Sequence, residues 1–482
     1  MLDLHLRIQT HPLLEFKREE PFVLNFEDQK ILAYEGETVG AALYAAGIKS
    51  LGYSTIHHRP RGLFCMIGNC SSCLMQVNGI PNTRTCTTLA KPGMVVERQH
   101  NHGELKGVSH YEVKSEDLEV EIAVVGTGPA GLKSAICASH LGGDVAVVDE
   151  NPVLGGQLIK QTHKFFGDEE LYAGIRGVDI AKMLGGELRS RRIRQILGGR
   201  VVGCFPGKKH ILGIAQDDGK FIELHAERVI VATGASENML AFPNWDLPGV
   251  LGAGGVQTMM NVYGIKPGSR ALMVGSGNVG LIVAYQMLQA GVQVKMVVEA
   301  ASSVGGYEVH AAKLRRMGIP VLTSHSIQKA LGEDQVEGAI VTKLDENWQP
   351  IAGTEQYLDV DLICLAVGLC PSSEILLQAG CESTFMPELG GHVALYDENM
   401  ETSIKDLYVA GDAAGIEEAS SAMMEGEIAG ASAAMSLGLK SDKASKRIEN
   451  ARKKLVAIRK SSFGTRAKNA KEKIMQLRMG CP

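Results

Sequence analysis

The chain has 482 residues, enough for roughly two to four domains. Apolar residues make up 45% and charged residues 21%, which argues against extensive disorder, and the absence of an apolar run of about 18 residues excludes a membrane-spanning helix. The formal net charge is −5, yet the last forty residues are strongly basic. Met1–Phe22 is rich in charged residues and lacks the apolar stretch of a signal peptide, so we expect a cytoplasmic protein.

The first hundred residues alternate short strand patterns with turns. Phe22–Tyr34 predicts two strands around an acidic turn, and Val39–Ala46 predicts a helix closed by a glycine. Leu74–Val77 leads into Asn78-Gly79, the residue pair typical of a two-residue hairpin turn. The polar segment Gly103–Glu116 then predicts a linker.

Beyond residue 120, short apolar runs alternate with glycine turns and helical patterns. Such runs are typical of parallel strands buried on both faces, and the alternation indicates an α/β fold. Two segments, 122–156 and 271–306, repeat one design of strand, GxGxxG, helix, strand and Gly-Gly. The predicted strands are Ile122–Val125, Val145–Val148, Arg228–Ala232, Ala271–Val274, Val294–Val298, Leu362–Val367 and Leu407–Ala410.

Four cysteines lie close together, at Cys65, Cys70, Cys73 and Cys86. The first three have the C-x4-C-x2-C spacing of the plant-type 2Fe–2S loop, and the fourth follows the predicted hairpin. Tetrahedral zinc is the alternative, although zinc sites usually use two C-x2-C pairs. We predict that most of the other cysteines are small apolar residues of the core. They are Cys137, Cys204, Cys364, Cys370, Cys381 and Cys481.

The first glycine motif predicts a dinucleotide site. In such motifs the glycines allow a tight turn, backbone approach to a pyrophosphate and close helix packing. Asp149 stands where a carboxylate would bind ribose hydroxyls, and Glu150 is the alternative ribose ligand. The predicted binding residues are Gly126, Gly128, Pro129, Ala130, Gly131, Asp149, Glu150, Gly156 and Gln157.

The second glycine motif repeats this design. Glu299 comes one residue later than the first spacing requires, with Val298 at the equivalent position. No Arg or Lys follows to bind a 2′-phosphate, so NAD or another adenine nucleotide is expected rather than NADP. A vestigial site, or one that holds a structural nucleotide, is the alternative. The predicted binding residues are Gly275, Gly277, Asn278, Val279 and Glu299.

Further segments resemble the flavoproteins with two dinucleotide-binding domains, of the thioredoxin- and glutathione-reductase type. Ala232-Thr233-Gly234 resembles their crossover segment, and Leu407–Asp412 resembles their second flavin motif. The resemblance implies bound FAD, with Asp412 hydrogen-bonded to its ribityl chain and Gly411 among the cofactor-binding residues. NAD or another adenine nucleotide at the first site is the alternative. Cys-x-x-Cys occurs only at Cys70–Cys73, within the cluster loop, so a disulfide reductase is not expected.

The fusion of an N-terminal cysteine module to such a flavoprotein indicates a narrower family. With segments such as 58–62 and 82–86, it resembles the α subunits of heteromeric sarcosine oxidases, opine oxidases, hydrogen cyanide synthase and dye-linked proline or hydroxyproline dehydrogenases. The resemblance implies a β-grasp 2Fe–2S module and a partner β subunit that is a flavin-dependent amine oxidase. It also implies an electron carrier and an FMN at the subunit interface. No catalytic side chain is predicted in this chain.

Two differences from these relatives narrow the expected class of enzyme. Sarcosine oxidase α chains carry a large C-terminal folate-handling domain that this sequence lacks, and only Cys481 stands near the C-terminus, where some relatives carry a further cysteine-rich module. A dehydrogenase of an amino acid or opine is therefore favoured. A stand-alone NADH-dependent reductase and a zinc-bearing, nucleotide-sensing assembly protein are the alternatives.

The basic tail completes the chain. Lys440–Arg478 holds 14 Lys and Arg against three Asp and Glu, and Arg452–Arg459 can form an amphipathic helix. A solvated helix is the simplest interpretation, and docking on this chain or on a partner is the alternative. Nucleic-acid binding is not expected, because no aromatic stacking platform accompanies the charges. The predicted domains are a 2Fe–2S ferredoxin-like domain (1–108), the first part of an FAD-binding domain (109–250), an NAD-like nucleotide-binding domain (251–371), the second part of the FAD-binding domain (372–439) and the basic tail (440–482).

Overall fold

The computed structural model describes residues 6–104, 114–216 and 219–480. The chain divides into two compact units, each built from two separate segments. One unit combines residues 1–110 with 237–368, and the other combines 111–236 with 369–482. The domain bounds given above remain predictions.

The N-terminal segment forms a small mixed sheet around one buried helix. The sheet has the order β2-β1-β7-β5-β6, with β1 antiparallel to β2 and parallel to β7. The predicted hairpin is confirmed, because Asn78 and Gly79 both have positive φ between β5 and β6. The elements are β1 (Phe22–Phe26), β2 (Gln29–Ala33), α1 (Val39–Ala45), β3 (Gly52–Tyr53), β4 (Pro60–Arg61), β5 (Leu74–Val77), β6 (Ile80–Arg84) and β7 (Val95–Glu97).

The next segment begins the second unit. The predicted linker falls mostly on residues 105–113, outside the described residues, and its last two residues belong to β8. Short 3-10 helices occupy Gly156–Lys160 and Glu169–Leu171. The elements are β8 (Ser115–Val125), α2 (Pro129–Leu141), β9 (Val145–Asp149), α3 (Gly177–Arg189), β10 (Arg194–Leu197), β11 (Gly199–Phe205), β12 (His210–Gln216), β13 (Phe221–Val231) and β14 (Ala235–Glu237).

The third segment forms a parallel sheet of order β15-β22-β16-β17-β18 and a three-stranded antiparallel sheet, β19-β20-β21. It shares a continuous apolar core with the N-terminal segment, which the sequence did not predict. The elements are β15 (Val250–Gly252), α4 (Ala253–Asn261), β16 (Arg270–Val274), α5 (Asn278–Gln289), β17 (Gln293–Glu299), α6 (Glu308–Arg316), β18 (Val321–Thr323), β19 (His325–Leu331), β20 (Gly338–Lys343), β21 (Gln356–Leu358) and β22 (Leu362–Leu365).

The last segment completes the second unit. Its strand β26 joins β13 in the sheet of order β10-β9-β8-β13-β12-β11. Short 3-10 helices occupy Pro387–Leu389 and Gly411–Ala414. The elements are β23 (Leu369–Pro371), α7 (Glu374–Gln378), β24 (Ser383–Met386), β25 (Gly391–Ala394), β26 (Leu407–Val409), α8 (Ala419–Ser436), α9 (Ser441–Ile458) and α10 (Ser462–Gly480).

The α/β fold class is confirmed, and each of the seven predicted parallel strands is present. Strands β8 and β13 are longer than predicted, because residues in their first halves alternate between more and less exposed positions instead of forming apolar runs. The antiparallel strands β11, β12 and β19–β21 were not predicted. Among the described residues, no helix is both long and apolar enough to cross a membrane.

The basic tail does not behave as a solvated segment. Helices α9 and α10 pack on the second unit and bury Ile448, Leu455 and Ile474 in its core. Lys454 pairs with Glu170, and Arg452 donates to the Glu398 carbonyl oxygen at 2.9 Å. The tail therefore docks on this chain, which was one of the alternatives. Cys481 lies outside the described residues.

Candidate cofactor-binding sites

The cysteine loop lies between β4 and β5. Cys65, Cys73 and Cys86 are at most 3% exposed, and Cys70 is half-buried. The loop takes left-handed backbone at Met66, Gly68 and Ser71, which turns it tightly enough for the Ile67 N–H to reach Cys65 Sγ at 3.5 Å. Non-glycine residues adopt this conformation at a cost, which is typical of functional loops.

The four thiols form one continuous chain of contacts. Cys65 hydrogen-bonds to both Cys70 and Cys86, and Cys86 also hydrogen-bonds to Cys73. Within the described ranges, no three potential ligands are arranged around a point for one metal ion. Four cysteine thiols held close together supply the four thiolates that a cluster of two irons requires. The donor set therefore fits a 2Fe–2S cluster.

The thiol contacts also set the protonation of the loop. Hydrogen bonding from Cys70 lowers the pKa of Cys65, and hydrogen bonding from Cys86 lowers the pKa of Cys73. The same contacts raise the pKa of Cys70 and of Cys86. Cys65 and Cys73 are therefore the easier thiols to deprotonate, and metal binding must displace the protons that remain on the loop.

The cluster loop packs directly on the third segment. The Gly252 N–H donates to the Phe64 carbonyl oxygen at 3.2 Å, and a Cβ at Gly255 would overlap that same oxygen. Phe64 and Cys65 share an apolar cluster with Phe242 and Leu247. The loop is therefore fixed at the carboxyl end of β15.

Two arginines that precede the cysteine loop form ion pairs with the same carboxylate. Arg59 lies 2.6 Å and Arg61 2.7 Å from Asp246, whose side chain is 8% exposed. Asp246 precedes β15, so these ion pairs join the N-terminal module to the segment on which its cluster loop packs. Asp246 was not predicted from the sequence.

We expect Asp246→Asn to lower the free energy of unfolding by about 1–2 kcal/mol, because a buried carboxylate loses its charge while two arginines keep theirs. Partial exposure of both arginines limits the effect. Thermal unfolding and the rate of iron loss measure it. Asp359→Asn, which removes the exposed pair with Arg270 at 3.0 Å, is the control and should change stability by less than about 0.5 kcal/mol. Equal effects of the two variants would contradict this prediction.

The first glycine motif has the geometry of a dinucleotide turn. Gly126 has φ +98°, and a Cβ there would overlap the Ala232 carbonyl oxygen. A Cβ at Gly131 would overlap the Gly126 oxygen. A Cβ at Gly128, by contrast, would meet nothing within 4 Å. Gly128 caps α2 without a side-chain hydrogen bond, so the helix N–H groups face open space suited to a pyrophosphate.

Other predicted residues converge on the same turn. A Cβ at Gly156 would lie 2.7 Å from Gly128 Cα, and one at Gly411 would lie 2.8 Å from Ala130 Cβ. Pro129 occupies the first turn of α2, and Gln157 is exposed beside Gly156. Thr233 next to Ala232 donates to the Ser372 carbonyl oxygen at 2.6 Å, and Gly234 has φ +74°. The structure thus brings the predicted residues of the first site together.

Asp149 is bound to its own chain. One carboxylate oxygen accepts from Thr127 N at 2.7 Å and Thr127 Oγ1 at 2.5 Å, and the other accepts from the backbone and side chain of Asn151. Glu150 is half-buried and lies 3.5 Å from Arg200. Since Asp149 already has four donors, Glu150 is the better placed of the two for a ribose.

The second flavin motif follows β26. Gly411 donates to Glu425 at 3.1 Å, and Asp412 is half-buried and accepts from Glu417 N at 3.2 Å. Burial raises the pKa of Asp412 to about 6, with Glu425 and Glu417 adding to the rise and Lys471 opposing it. Asp412 is therefore ionised only above about pH 6.

We expect FAD binding to weaken as pH falls through about 6, because a neutral Asp412 is a poorer acceptor for a ribityl hydroxyl. The raised pKa also means that ionisation costs stability, so the ligand-free chain loses stability as pH rises from about 4 to about 6. Fluorescence titration with FAD between pH 5 and 7.5 measures the first effect. Asp412→Asn should show no such pH dependence, and a wild-type pH profile in this variant would contradict the assignment.

The second site repeats the main contacts of the first. A Cβ at Gly275 would overlap the Ala366 carbonyl oxygen, and one at Gly277 would meet nothing within 4 Å. Glu299 accepts from Ser276 N and Ser276 Oγ, both at 2.8 Å, as Asp149 does from Thr127. Asn278 begins α5, and Val279 is 45% exposed at its N-terminus. The residues suit a second nucleotide.

The late position of Glu299 has a structural cause. The pairing of β16 with β17 shifts between Ala271 and Leu272, so that β17 holds one extra residue at Lys295. Val274 then faces Val298, as Val125 faces Val148 in the first site. Glu299 and Asp149 therefore occupy equivalent positions.

The equivalence also identifies residues that the sequence analysis missed. Ala366-Val367-Gly368 follows β22 as Ala232-Thr233-Gly234 follows β13, and Ala366 N donates to Val274 O at 2.7 Å. The Ala-x-Gly pattern after an apolar strand was the available signal. Ser276 and Thr127 were missed because a hydroxyl after the first glycine has no recognised role in the motif.

Two protein-family models match the segments that form these sites. The model described as pyridine nucleotide-disulphide oxidoreductase matches residues 120–426, and the 2Fe-2S iron-sulfur cluster binding domain matches residues 19–101. The chain belongs to the pyridine nucleotide-disulphide oxidoreductase family and is a flavin oxidoreductase with an N-terminal 2Fe–2S domain. These matches imply FAD and a 2Fe–2S cluster.

Individual relatives narrow the group. The chain is 28% identical to an opine oxidase subunit of Rhizobium meliloti, over 66% of this chain and 63% of that protein. It is 25% identical to the alpha subunit of sarcosine oxidase from Corynebacterium sp. (strain P-1), over 90% of this chain and 45% of that protein. The chain thus spans less than two thirds of either relative.

A solved structure covers more of the fold. L-proline dehydrogenase from P. horikoshii has a TM-score of 0.69 and 26% identity, over 92% of this chain and 79% of that chain. The resemblance to the α subunits of heteromeric amino acid and opine oxidases is confirmed. Two of these relatives are named as subunits of larger enzymes.

Proposed function

We propose that this chain is the electron-transfer subunit of a heteromeric flavin-dependent dehydrogenase of an amino acid or opine. The substrate would be of the proline, hydroxyproline, sarcosine or glycine type. A flavin-dependent amine oxidase, the partner β subunit, oxidises the substrate C–N bond, and this chain relays the electrons to a carrier. An FMN at the subunit interface and a cytoplasmic location belong to the same proposal.

The observation that carries this proposal is the fixed position of the cluster loop. Phe64 and Cys65 pack at the carboxyl end of β15, and β15, β22 and β16 are parallel neighbours. Gly275 follows β16 at that same edge. The loop contacts β15, the outer strand of this sheet, and the second nucleotide site follows β16, two strands further in. A redox group held by the four cysteines therefore stands beside a nucleotide-binding edge.

The residues of this chain would bind and orient the cofactors. The four cysteines would hold the cluster, the backbone at Gly126–Gly131 would bind the FAD pyrophosphate, and Asp412 would accept from the ribityl chain. Bound FAD and the cluster supply two-electron and one-electron chemistry respectively. Arg59, Arg61 and Asp246 hold the cluster module in place.

A dye-reduction assay tests the proposal. The purified chain alone should not reduce an artificial dye with proline, hydroxyproline, sarcosine or glycine, because the dehydrogenase chemistry belongs to the partner. The same chain, reduced first with dithionite and desalted, should pass its electrons to the dye. Turnover of any of these substrates by the single chain would contradict the proposal.

A stand-alone NADH-dependent reductase is the second candidate. The observation that favours it is the completeness of the second site, whose open space at Gly277 matches that at Gly128. NADH at this site would then be the electron donor. The two candidates differ in one measurable respect, which is whether NADH reduces the bound cofactors.

A further inference from the structure

The basic tail delivers two cations to the interior of the second unit. The side chain of Arg459, at the end of α9, is 8% exposed, and that of Lys471, in α10, is 1% exposed. They differ from the exposed cations of the same helices, such as Lys473. A buried lysine is expensive unless it is paired, so its partners matter.

The partners are two buried glutamates that follow the second flavin motif. Lys471 Nζ lies 2.6 Å from Glu425 and 3.0 Å from Glu417. Arg459 donates to Glu417 Oε1 at 2.9 Å and to Glu425 Oε1 at 2.6 Å. The side chains of Glu417 and Glu425 are 5% and 2% exposed. Two cations from the tail therefore balance two anions of the flavoprotein segment.

The same glutamates hold the flavin motif. Glu425 accepts from Gly411 N through Oε2, the oxygen that the cations leave available, and Glu417 N donates to Asp412. Gly411 in turn packs on Ala130 of the glycine motif. A continuous path of contacts thus connects Lys471 to both halves of the first dinucleotide site.

The buried ion pairs keep Glu417 and both cations in their charged forms. Burial would raise the pKa of Glu417, but Lys471 and Arg459 overcome it and lower that pKa. Burial would lower the pKa of Lys471, but Glu425 and Glu417 overcome it and raise that pKa. Without Lys471, two carboxylates would share a single arginine beside Asp412 and beside a ligand that carries phosphates.

We propose that Lys471 and Arg459 are positioning residues of the first dinucleotide site, and that tail docking and FAD binding stabilise each other. The proposal rests on FAD occupying that site. Lys471 touches no ligand itself and acts through Glu425 on Gly411 and through Glu417 on Asp412. By linkage, whatever the tail contributes to FAD binding, FAD contributes equally to tail docking.

Fluorescence titration of the deflavinated chain with FAD tests the first half. Lys471→Gln should weaken FAD binding roughly tenfold or more, whereas the exposed neighbour variant Lys473→Gln should stay within about twofold. The double variant Lys471→Met with Glu425→Gln balances the charges and should recover part of the loss. A glutamine oxygen can still accept from Gly411 N, although its amide nitrogen then faces Arg459. An FAD affinity of folded Lys471→Gln equal to that of wild type would overturn the proposal.

Hydrogen exchange of the wild-type chain tests the second half and needs no variant to fold. FAD should slow amide exchange in α10, around residues 465–478, by several-fold. Unchanged exchange in α10 at saturating FAD would overturn the coupling. Failure of the wild-type chain to bind FAD would instead overturn the assignment of the ligand, and the proposal with it, whereas the electron-transfer function is tested separately by the dye assay.

Discussion

Replacing Cys86 by alanine should abolish the 2Fe–2S cluster and, with it, all electron delivery to an external acceptor. Cys86 is 2% exposed and its thiol contacts both Cys65 and Cys73, so it lies inside the chain of four thiols. Three thiolates cannot complete a site that needs four ligands. Iron and acid-labile sulfide should fall to background, and the EPR signal of the reduced cluster should vanish.

The control for Cys86 is a cysteine outside the loop. Cys370→Ala removes a half-buried thiol beside Gly391 and should leave the iron content unchanged. The packing cost of either change is about 1 kcal/mol, so both chains should fold. Full iron content in Cys86→Ala, or zinc in place of iron in the wild-type chain, would contradict the cluster assignment.

Replacing Gly128 by alanine should remove FAD without unfolding the protein. Gly128 has φ −68° and ψ −173°, which alanine adopts freely, and its Cβ would project into open space. That space lies in front of the α2 N-terminus, where a pyrophosphate would approach the backbone. We expect FAD affinity to fall by about a hundredfold or more, roughly 2.7 kcal/mol, while unfolding stability changes by less than about 1 kcal/mol.

The repeat supplies a matched variant. Gly277 caps α5 in the same conformation, with φ −63° and ψ 171° and nothing within 4 Å of an added Cβ. Gly277→Ala should keep FAD and lose the nucleotide of the second site. Retention of FAD by Gly128→Ala together with loss in Gly277→Ala would reverse the assignment of the two sites.

The sequence predicted the parts of this molecule whose residues must satisfy a local geometric demand. The glycines at 126, 131, 275 and 280 are required by contacts within a few residues of the motif or with the adjacent strand. The four cysteines are required by ligand chemistry. Such constraints leave a recognisable spacing in one sequence.

The missed residues depend on distant contacts. Nothing in the local sequence of Lys471 distinguishes it from its exposed neighbour Lys473, because its burial depends on two glutamates more than forty positions away. Asp246 likewise gains its role only when Arg59 and Arg61 approach it from the N-terminal module. The ribose contact of Asp149 stays a prediction from spacing, and spacing could not show that Thr127 and Asn151 donate to its oxygens.

The most direct test of the electron-transfer proposal is an anaerobic absorption and EPR spectrum of the purified chain, taken before and after NADH and then after dithionite. The proposal predicts flavin absorption and a cluster that dithionite reduces and NADH does not. Reduction of the flavin and the cluster by NADH within seconds would contradict it and establish the stand-alone reductase instead.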